Sequence, residues 1–159
     1  MRRFAVIALI VCAAGVTSAR TRAGYVDGEK TAVKLTDING KDVEVRTAKA
    51  FRTMQRAARK AGVHLEIRSG FRSYAKQAKL YKDYCNGKGN LAAPPGYSNH
   101  ESGRALDLVL TDPDAYKWLQ KHGASYGFHR TVPGEAWHWE YLGDEPRPVS
   151  HSKHDKPSS

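Results

Sequence analysis

The stretch that decides the fold is "GYSNHESGRALDLVL", residues 96–110. It joins a glycine-containing turn to a segment in which apolar and polar side chains alternate, as they do in a β-strand. This alternation places Leu106 and Leu108 on one face and Asp107 on the other. Because a carboxylate in the middle of a strand is costly to bury without a partner, Asp107 needs either a salt bridge or a metal ion. The strand alone does not choose between them.

Hydrophobic periodicity and turn residues divide the chain into alternating strands and helices. The segment "AVKLTDINGKDVEVR" predicts a hairpin around Asn39-Gly40. Three helices are predicted: one capped by Thr47 and ended by Gly62, one capped by Ser73, and one capped by Thr111 or Asp112, with Pro113 in its first turn and Gly123 at its end. The segments "VHLEIRSG", 104–110 and "AWHWEYLG" are predicted strands. This order favours an α+β fold, with a small antiparallel sheet and helices packed on one face.

The two ends of the chain differ in composition from its centre. Residues 1–19 combine Arg2 and Arg3, an apolar run and small residues before the predicted cleavage point, which is typical of a secretory signal peptide. Residues 144–159 are polar and proline-bearing, so we predict a disordered tail, with His151 and His154 solvated. The expected organisation is a signal peptide (1–19), a single domain (20–143) and a tail (144–159). We therefore expect export to the periplasm, the cell envelope or the medium, with no stable membrane anchor after cleavage.

The chain is strongly basic, with 26 Lys and Arg against 16 Asp and Glu and a formal net charge of +10. Loss of residues 1–19 would remove only Arg2 and Arg3 and leave a charge of +8. In an exported protein this charge suits an anionic envelope polymer. The basic residues are dispersed and accompany no nucleic-acid-binding motif, so we do not expect a nucleic-acid partner.

The last predicted strand supplies the partners that Asp107 lacks on its own. In "AWHWEY", His138 and Glu140 share one face, and Glu135 lies three residues before His138. Catalytic zinc takes three protein ligands and keeps one position open, and His100, Asp107 and His138 form such a set. Glu135 is then an acid that need not ligate and that could take a proton from water on the metal. Glu140 could exchange roles with Glu135, because it lies on the His138 face.

Three motifs resemble the VanY-like zinc D-alanyl-D-alanine carboxypeptidases, which are LAS-type metallopeptidases whose fold is shared with the hedgehog N-terminal signalling domain. They are "SGFRSYAKQAKLY", "PPGYSNHESGRALDL" and "YGFHRTVPGEAWHWEYLG", and the resemblance runs from about residue 63 to residue 143. The resemblance implies one Zn²⁺ per chain on His100, Asp107 and His138. It also implies Glu135 as general base and later general acid, and Arg72 at the substrate carboxylate or the developing oxyanion. The substrate contacts implied besides Arg72 are Gln77, Ser98 and Trp137.

The implied reaction is removal of a terminal D-alanine from a peptidoglycan stem peptide. Two departures from the family pattern bear on the choice of substrate: Ala136 stands where proline is common, and only "HRTVPG" separates Phe128 from Glu135. An endopeptidase that cuts within the stem peptide, for example between L-alanine and D-glutamate, is an alternative within the family. A noncatalytic binding module for the cell wall or for a protein is the alternative from another class, since fold alone does not determine function.

Overall fold

Two antiparallel sheets and three α-helices make up the protein, whose structure, a computed structural model, describes residues 19–143. The predicted signal peptide, apart from Ala19, and the predicted tail with His151 and His154 lie outside the described residues. The strands are β1 (Arg20–Val26), β2 (Glu29–Ile38), β3 (Lys41–Glu44), β4 (Ile67–Ser69), β5 (Ala105–Leu108), β6 (Phe128–His129) and β7 (His138–Tyr141). The first sheet has the order β1-β2-β3, and the second has the order β4-β5-β7-β6. The helices are α1 (Val45–Lys60), α2 (Tyr74–Cys85) and α3 (Pro113–His122), and a short 3₁₀ helix (Gly123–Tyr126) follows α3.

The predicted fold class is confirmed. The side chains of the two strands that carry the candidate site point to the faces that the sequence predicts. Strands β5 and β7 pair so that Leu106 lies opposite Trp139 and Asp107 lies opposite His138. Leu106 and Trp139 belong to the buried core, where α1 contributes Phe51. Successive side chains of a strand point to opposite faces, so the same pairing that buries Leu106 and Trp139 turns Asp107 and His138 away from that core face.

The helix ends are predicted well, with one exception. Ser73 caps α2 and Asp112 caps α3, as the sequence indicates. Helix α1, however, begins at Val45 and not after Thr47, because Glu44 is its N-cap. The Glu44 carboxylate accepts hydrogen bonds from the backbone N–H of Thr47 at 2.9 Å and from its hydroxyl at 3.1 Å. Thr47 therefore serves as a donor to the cap and is not the cap itself.

The strands differ from the prediction in number and length. The segment "VHLEIRSG" forms a strand only over Ile67–Ser69, and the predicted strand 104–110 is limited to Ala105–Leu108. Strands β1 and β6 were not predicted: β1 is largely exposed and so lacks an apolar alternation, and β6 is only two residues long. Within residues 19–143, no helix is both long and apolar enough to cross a lipid bilayer.

Candidate metal centre

Three buried side chains, from two strands and one turn, converge on the face of the β5–β7 pair that is turned away from the core. Asp107 Oδ1 lies 3.3 Å from Nε2 of His100 and 3.3 Å from Nδ1 of His138. The ligand atoms of all three residues lie within 4.8 Å of one another. His100 reaches Asp107 from the turn before β5, where Gly103 has a positive φ of 71° and its N–H donates to the His100 carbonyl at 3.1 Å. The three residues singled out in the sequence therefore form one cluster.

This cluster fits a tetrahedral metal ion such as zinc. Ligands at about 2.0–2.1 Å from zinc are separated along a tetrahedral edge by about 3.3 Å, which agrees with both Asp107–histidine separations. Each imidazole also has its second nitrogen engaged: Nδ1 of His100 lies 2.8 Å from the Gly70 carbonyl, and Nε2 of His138 lies 2.8 Å from Oε1 of Glu140. Such outer contacts orient metal-binding histidines and select the tautomer that presents the free nitrogen.

Glu140 is thus placed behind His138, on the nitrogen opposite the one that faces Asp107. Its other oxygen, Oε2, accepts a hydrogen bond from the Asn99 side chain at 2.9 Å. Glu140 therefore supports the His138 ring and does not face the ligand atoms, which favours Glu135 as the free acid. Asn99 was not identified from the sequence, because its partner is 41 residues away and no local pattern joins them.

We expect Glu140→Gln to weaken zinc binding about tenfold, at the low end of the effect of outer-shell changes on metal affinity. The amide can still accept from His138, but it lacks the negative charge that makes the imidazole a better ligand. Competition for zinc with a chelating dye measures the affinity. An unchanged affinity would mean that Glu140 has no influence on the metal site.

The charges of the cluster are strongly coupled. Burial alone would raise the pKa of Asp107, but hydrogen bonds from His100 and His138 outweigh it and hold that pKa well below its usual range. Burial would likewise lower the pKa of His138, but hydrogen bonds to Asp107 and Glu140 raise it to about 9. The pKa of His100 is lowered, chiefly by burial. Without a metal, His138 is therefore protonated at neutral pH, and a cation that takes its Nδ1 has to displace a proton.

Arg72 lies at the edge of this cluster and is held on three sides. Its Nη2 nitrogen is 3.6 Å from Asp107 Oδ2, and its backbone N–H donates to the His100 carbonyl at 2.9 Å. Its Nη1 donates to Oε1 of Gln77 at 2.8 Å, while the Gln77 amide nitrogen donates to the Ala93 carbonyl at 2.7 Å. Gln77 is buried, and both polar ends of its side chain are engaged inside the protein. Burial lowers the pKa of Arg72, which nevertheless remains a strong base.

The remaining predicted site residues, Glu135, Ser98 and Trp137, lie shortly before the histidines of the cluster in the chain. Burial raises the pKa of the half-buried Glu135 carboxyl, and the charges of His138, Asp107 and Arg72 act on it. Ser98 is half-buried, and its hydroxyl accepts a hydrogen bond from the backbone N–H of His100 at 3.3 Å. Trp137 is half-buried directly before β7, with the Arg68 guanidinium 5.6 Å above its ring. The roles assigned to these residues remain predictions.

A family model described as VanY, D-alanyl-D-alanine carboxypeptidase, matches residues 40–144, about two thirds of the chain. The chain belongs to the VanY family. This result confirms the resemblance inferred from the three motifs, and the match includes all the residues singled out for the site. Strands β1 and β2 both precede the matched segment.

Known VanY proteins resemble the chain in both sequence and fold. A D-alanyl-D-alanine carboxypeptidase of Enterococcus faecalis is 27% identical over 136 residues, which cover 67% of this chain and 51% of that protein. A variant of a vancomycin resistance D,D-pentapeptidase VanY in complex with Zn(II) is 27% identical with a TM-score of 0.62 and covers 70% of this chain and 80% of its own. VanYB in complex with D-alanine-D-alanine is 26% identical with a TM-score of 0.62 and covers 70% and 78%. The chain spans about half or less of the length of the curated relatives it matches.

Proposed function

We propose that the chain is an exported zinc-dependent peptidase that removes the terminal D-alanine from peptidoglycan stem peptides. The observation that carries this proposal is the cluster of His100, Asp107 and His138, with a free acid, Glu135, and a held arginine, Arg72, beside it. Family membership and the Zn(II) and D-alanine-D-alanine complexes of similar proteins support it. A binding module has no need for all five of these groups together.

His100, Asp107 and His138 would hold the zinc ion, with two nitrogens and one oxygen as ligands. When bound, the ion supplies a Lewis acid that polarises a carbonyl and makes water more acidic. Glu135 accepts the proton of the attacking water and returns it to the leaving amine nitrogen, and its raised pKa suits both transfers. In this proposal three residues bind the ion, and a fourth, Glu135, transfers the proton.

Arg72 would bind the negative charge of the substrate. Its planar guanidinium can pair with the carboxylate of a terminal residue or with the oxyanion that develops at the scissile carbonyl. Gln77 holds one nitrogen of that guanidinium at 2.8 Å, so we assign Gln77 to the positioning of Arg72. Ser98 and Trp137 would contact the peptide from the neighbouring loop and from the start of β7. A fixed cation beside the metal ligands favours a substrate with a free carboxyl end.

Export would depend on residues 1–19, which we propose act as a signal peptide, with 20–143 as the mature domain and 144–159 as a tail. The exported protein would then encounter its substrate in the cell envelope. The net positive charge of the chain favours approach to the anionic wall.

The experiment that tests the function is incubation of the zinc-loaded protein with muropeptides that carry a pentapeptide ending in D-Ala-D-Ala, with the products read by mass spectrometry. We expect loss of a single alanine residue. A matched substrate whose terminal carboxyl is amidated should be cleaved much more slowly, because the charge that Arg72 would bind is absent.

Three other outcomes would contradict the proposal. Two larger fragments would identify an endopeptidase acting within the stem peptide. Rapid cleavage of the amidated substrate would show that the terminal carboxylate of the substrate is not needed for recognition. No turnover with zinc bound would favour a noncatalytic binding module.

A further inference from the structure

The loop that carries Ser98 and His100 rests on the hairpin formed by β1 and β2. At the tip of the hairpin, the N–H of Gly28 donates to the carbonyl of Gly96 at 2.9 Å. Further along β1, the N–H of Tyr25 donates to the carbonyl of Glu101 at 3.2 Å. This hairpin, residues 20–38, lies wholly before residue 40, where the family match begins. An element outside the matched segment thus contacts the loop beside the metal centre.

The side chain of Glu101 makes hydrogen bonds to the backbone of its own loop. Its side chain is fully buried, and Oε2 accepts hydrogen bonds from the N–H of Gly96 at 2.8 Å and of Ser98 at 3.3 Å. Its Oε1 has no hydrogen-bond partner among the residues that the structure describes. Burying a carboxylate that is only partly paired costs free energy, so its position requires an explanation. The reaction proposed above makes no use of Glu101.

The hairpin and the loop approach each other too closely for side chains between them. A Cβ atom on Gly24 would lie 2.4 Å from the carbonyl oxygen of Glu101, and one on Gly28 would lie 2.7 Å from the hydroxyl of Tyr97. Contacts this short are not tolerated without displacement of one partner. Glycine at position 24 therefore permits backbone-to-backbone docking of the hairpin on the loop, whereas a side chain at position 28 would have to displace the side chain of Tyr97.

The two functional residues of the loop are held in different ways. His100 is fixed from the opposite side, since its ring contacts the Gly70 carbonyl and its own carbonyl accepts from the N–H of Arg72. Ser98 has its backbone N–H bound by Glu101, and its carbonyl accepts from the N–H of Glu101 at 2.8 Å. Loosening Glu101 or the hairpin should therefore move Ser98 more than His100.

We propose that Tyr25, Gly28 and Glu101 form a loop clamp that positions Ser98 for contact with the substrate, with Glu101 as a positioning residue. This inference rests on the proposed function, in which Ser98 binds the peptide. The loop clamp acts on substrate binding and leaves the metal ligands in place, so its loss raises KM while kcat and zinc affinity stay nearly constant.

The hairpin half of the loop clamp is tested by Gly28→Ala with Gly40→Ala as its control. Both glycines are the second residue of a two-residue hairpin turn, with φ of 85° and 80°, so alanine is strained equally at each. A Cβ on Gly40 meets nothing within 4 Å, whereas one on Gly28 meets Tyr97. We expect Gly28→Ala to raise KM about tenfold, the factor for one lost hydrogen bond, and Gly40→Ala to leave KM unchanged. An equal rise in both variants, or in neither, would overturn the proposal.

The contribution of Glu101 to the loop clamp is tested by Glu101→Ala and by the conservative variant Glu101→Gln. Alanine leaves the N–H groups of Gly96 and Ser98 without an acceptor, while the glutamine carbonyl can still accept from both. We expect KM to rise at least about tenfold for the alanine variant, the effect of unsatisfied buried donors, and to return to within about threefold of the original value for the glutamine variant. If both variants only lower the melting temperature and leave KM unchanged, Glu101 is structural and the proposal is wrong.

Amide hydrogen exchange of Gly96 and Ser98, followed by NMR, separates a failure of the loop clamp from a failure of the proposed function. Exchange should accelerate in Gly28→Ala and Glu101→Ala but not in Gly40→Ala. If the unmodified protein does not cleave muropeptides, the proposed function is wrong. The loop clamp is then tested by amide hydrogen exchange alone. Unchanged exchange in both variants would overturn it.

Discussion

Replacing Glu135 with alanine is expected to lower kcat/KM on a pentapeptide-bearing muropeptide about 10³-fold, within the range for loss of a general acid–base group, while zinc remains bound. The carboxyl lies close enough to His138 and Asp107 for their charges to act on its pKa, yet it is not one of the three clustered ligands. Its removal therefore takes away proton transfer and leaves the ligand set complete. Steady-state kinetics and zinc content by mass spectrometry measure the two effects separately.

Glu66→Ala is the matched control for this prediction. Glu66 is exposed before β4, and the same truncation there should leave both kinetics and zinc content unchanged. If Glu135→Ala loses zinc, Glu135 is a ligand and the assignment of roles is wrong. If it keeps full activity, the proton is carried by another group.

Asp107→Asn is expected to abolish the stabilisation of the protein by zinc. The substitution is nearly isosteric, but it removes the negative charge between two histidine nitrogens that each lie 3.3 Å away. For the unmodified protein, zinc at a hundred times its Kd should raise the Tm by about 10 °C, corresponding to about 2.7 kcal/mol. In Asp107→Asn this rise should disappear, because an amide is a poor ligand for zinc and no charge offsets that of the ion.

The same variant should also be less stable without zinc. Protonated His138 would lose one of its two acidic partners and keep Glu140, so we expect a loss of about 2 kcal/mol, somewhat below the usual cost of breaking a buried pair. Asp114→Asn makes the same change at an exposed position of α3 and should retain the zinc-dependent rise in Tm. A full zinc response in Asp107→Asn would show that the metal binds elsewhere.

The residues nearest the metal centre were predictable because they lie on strands with a strict period. In β5 and β7, alternation alone indicates that Leu106 and Trp139 face the core and that Asp107 and His138 face the other way, and the register confirms it. Capping by Ser73 and Asp112 was predictable for a similar reason, since the cap and the N–H that it binds are two or three residues apart. Local chemistry is sufficient in both cases.

The supporting residues could not be predicted in this way, because each acts on a partner that is distant in sequence. Asn99 reaches Glu140 across 41 residues, and Gln77 reaches the Ala93 carbonyl across 16. Strand β1 is mostly exposed, so no apolar period marks it, although it docks on the loop of the metal centre. These features depend on how separate segments meet.

The sequence by itself determined the α+β class, the family and the residues of the candidate metal site, because periodicity and short motifs are local properties of the chain. Only the tertiary structure placed Glu140 behind the ring of His138, which supports the preference for Glu135 that the motif already gave. It alone also brought the β1–β2 hairpin against the loop of Ser98 and buried Glu101 between backbone donors. The physical reason is that hydrogen bonds and close approach depend on distances in space, and those distances arise only when strands far apart in the chain pair and pack.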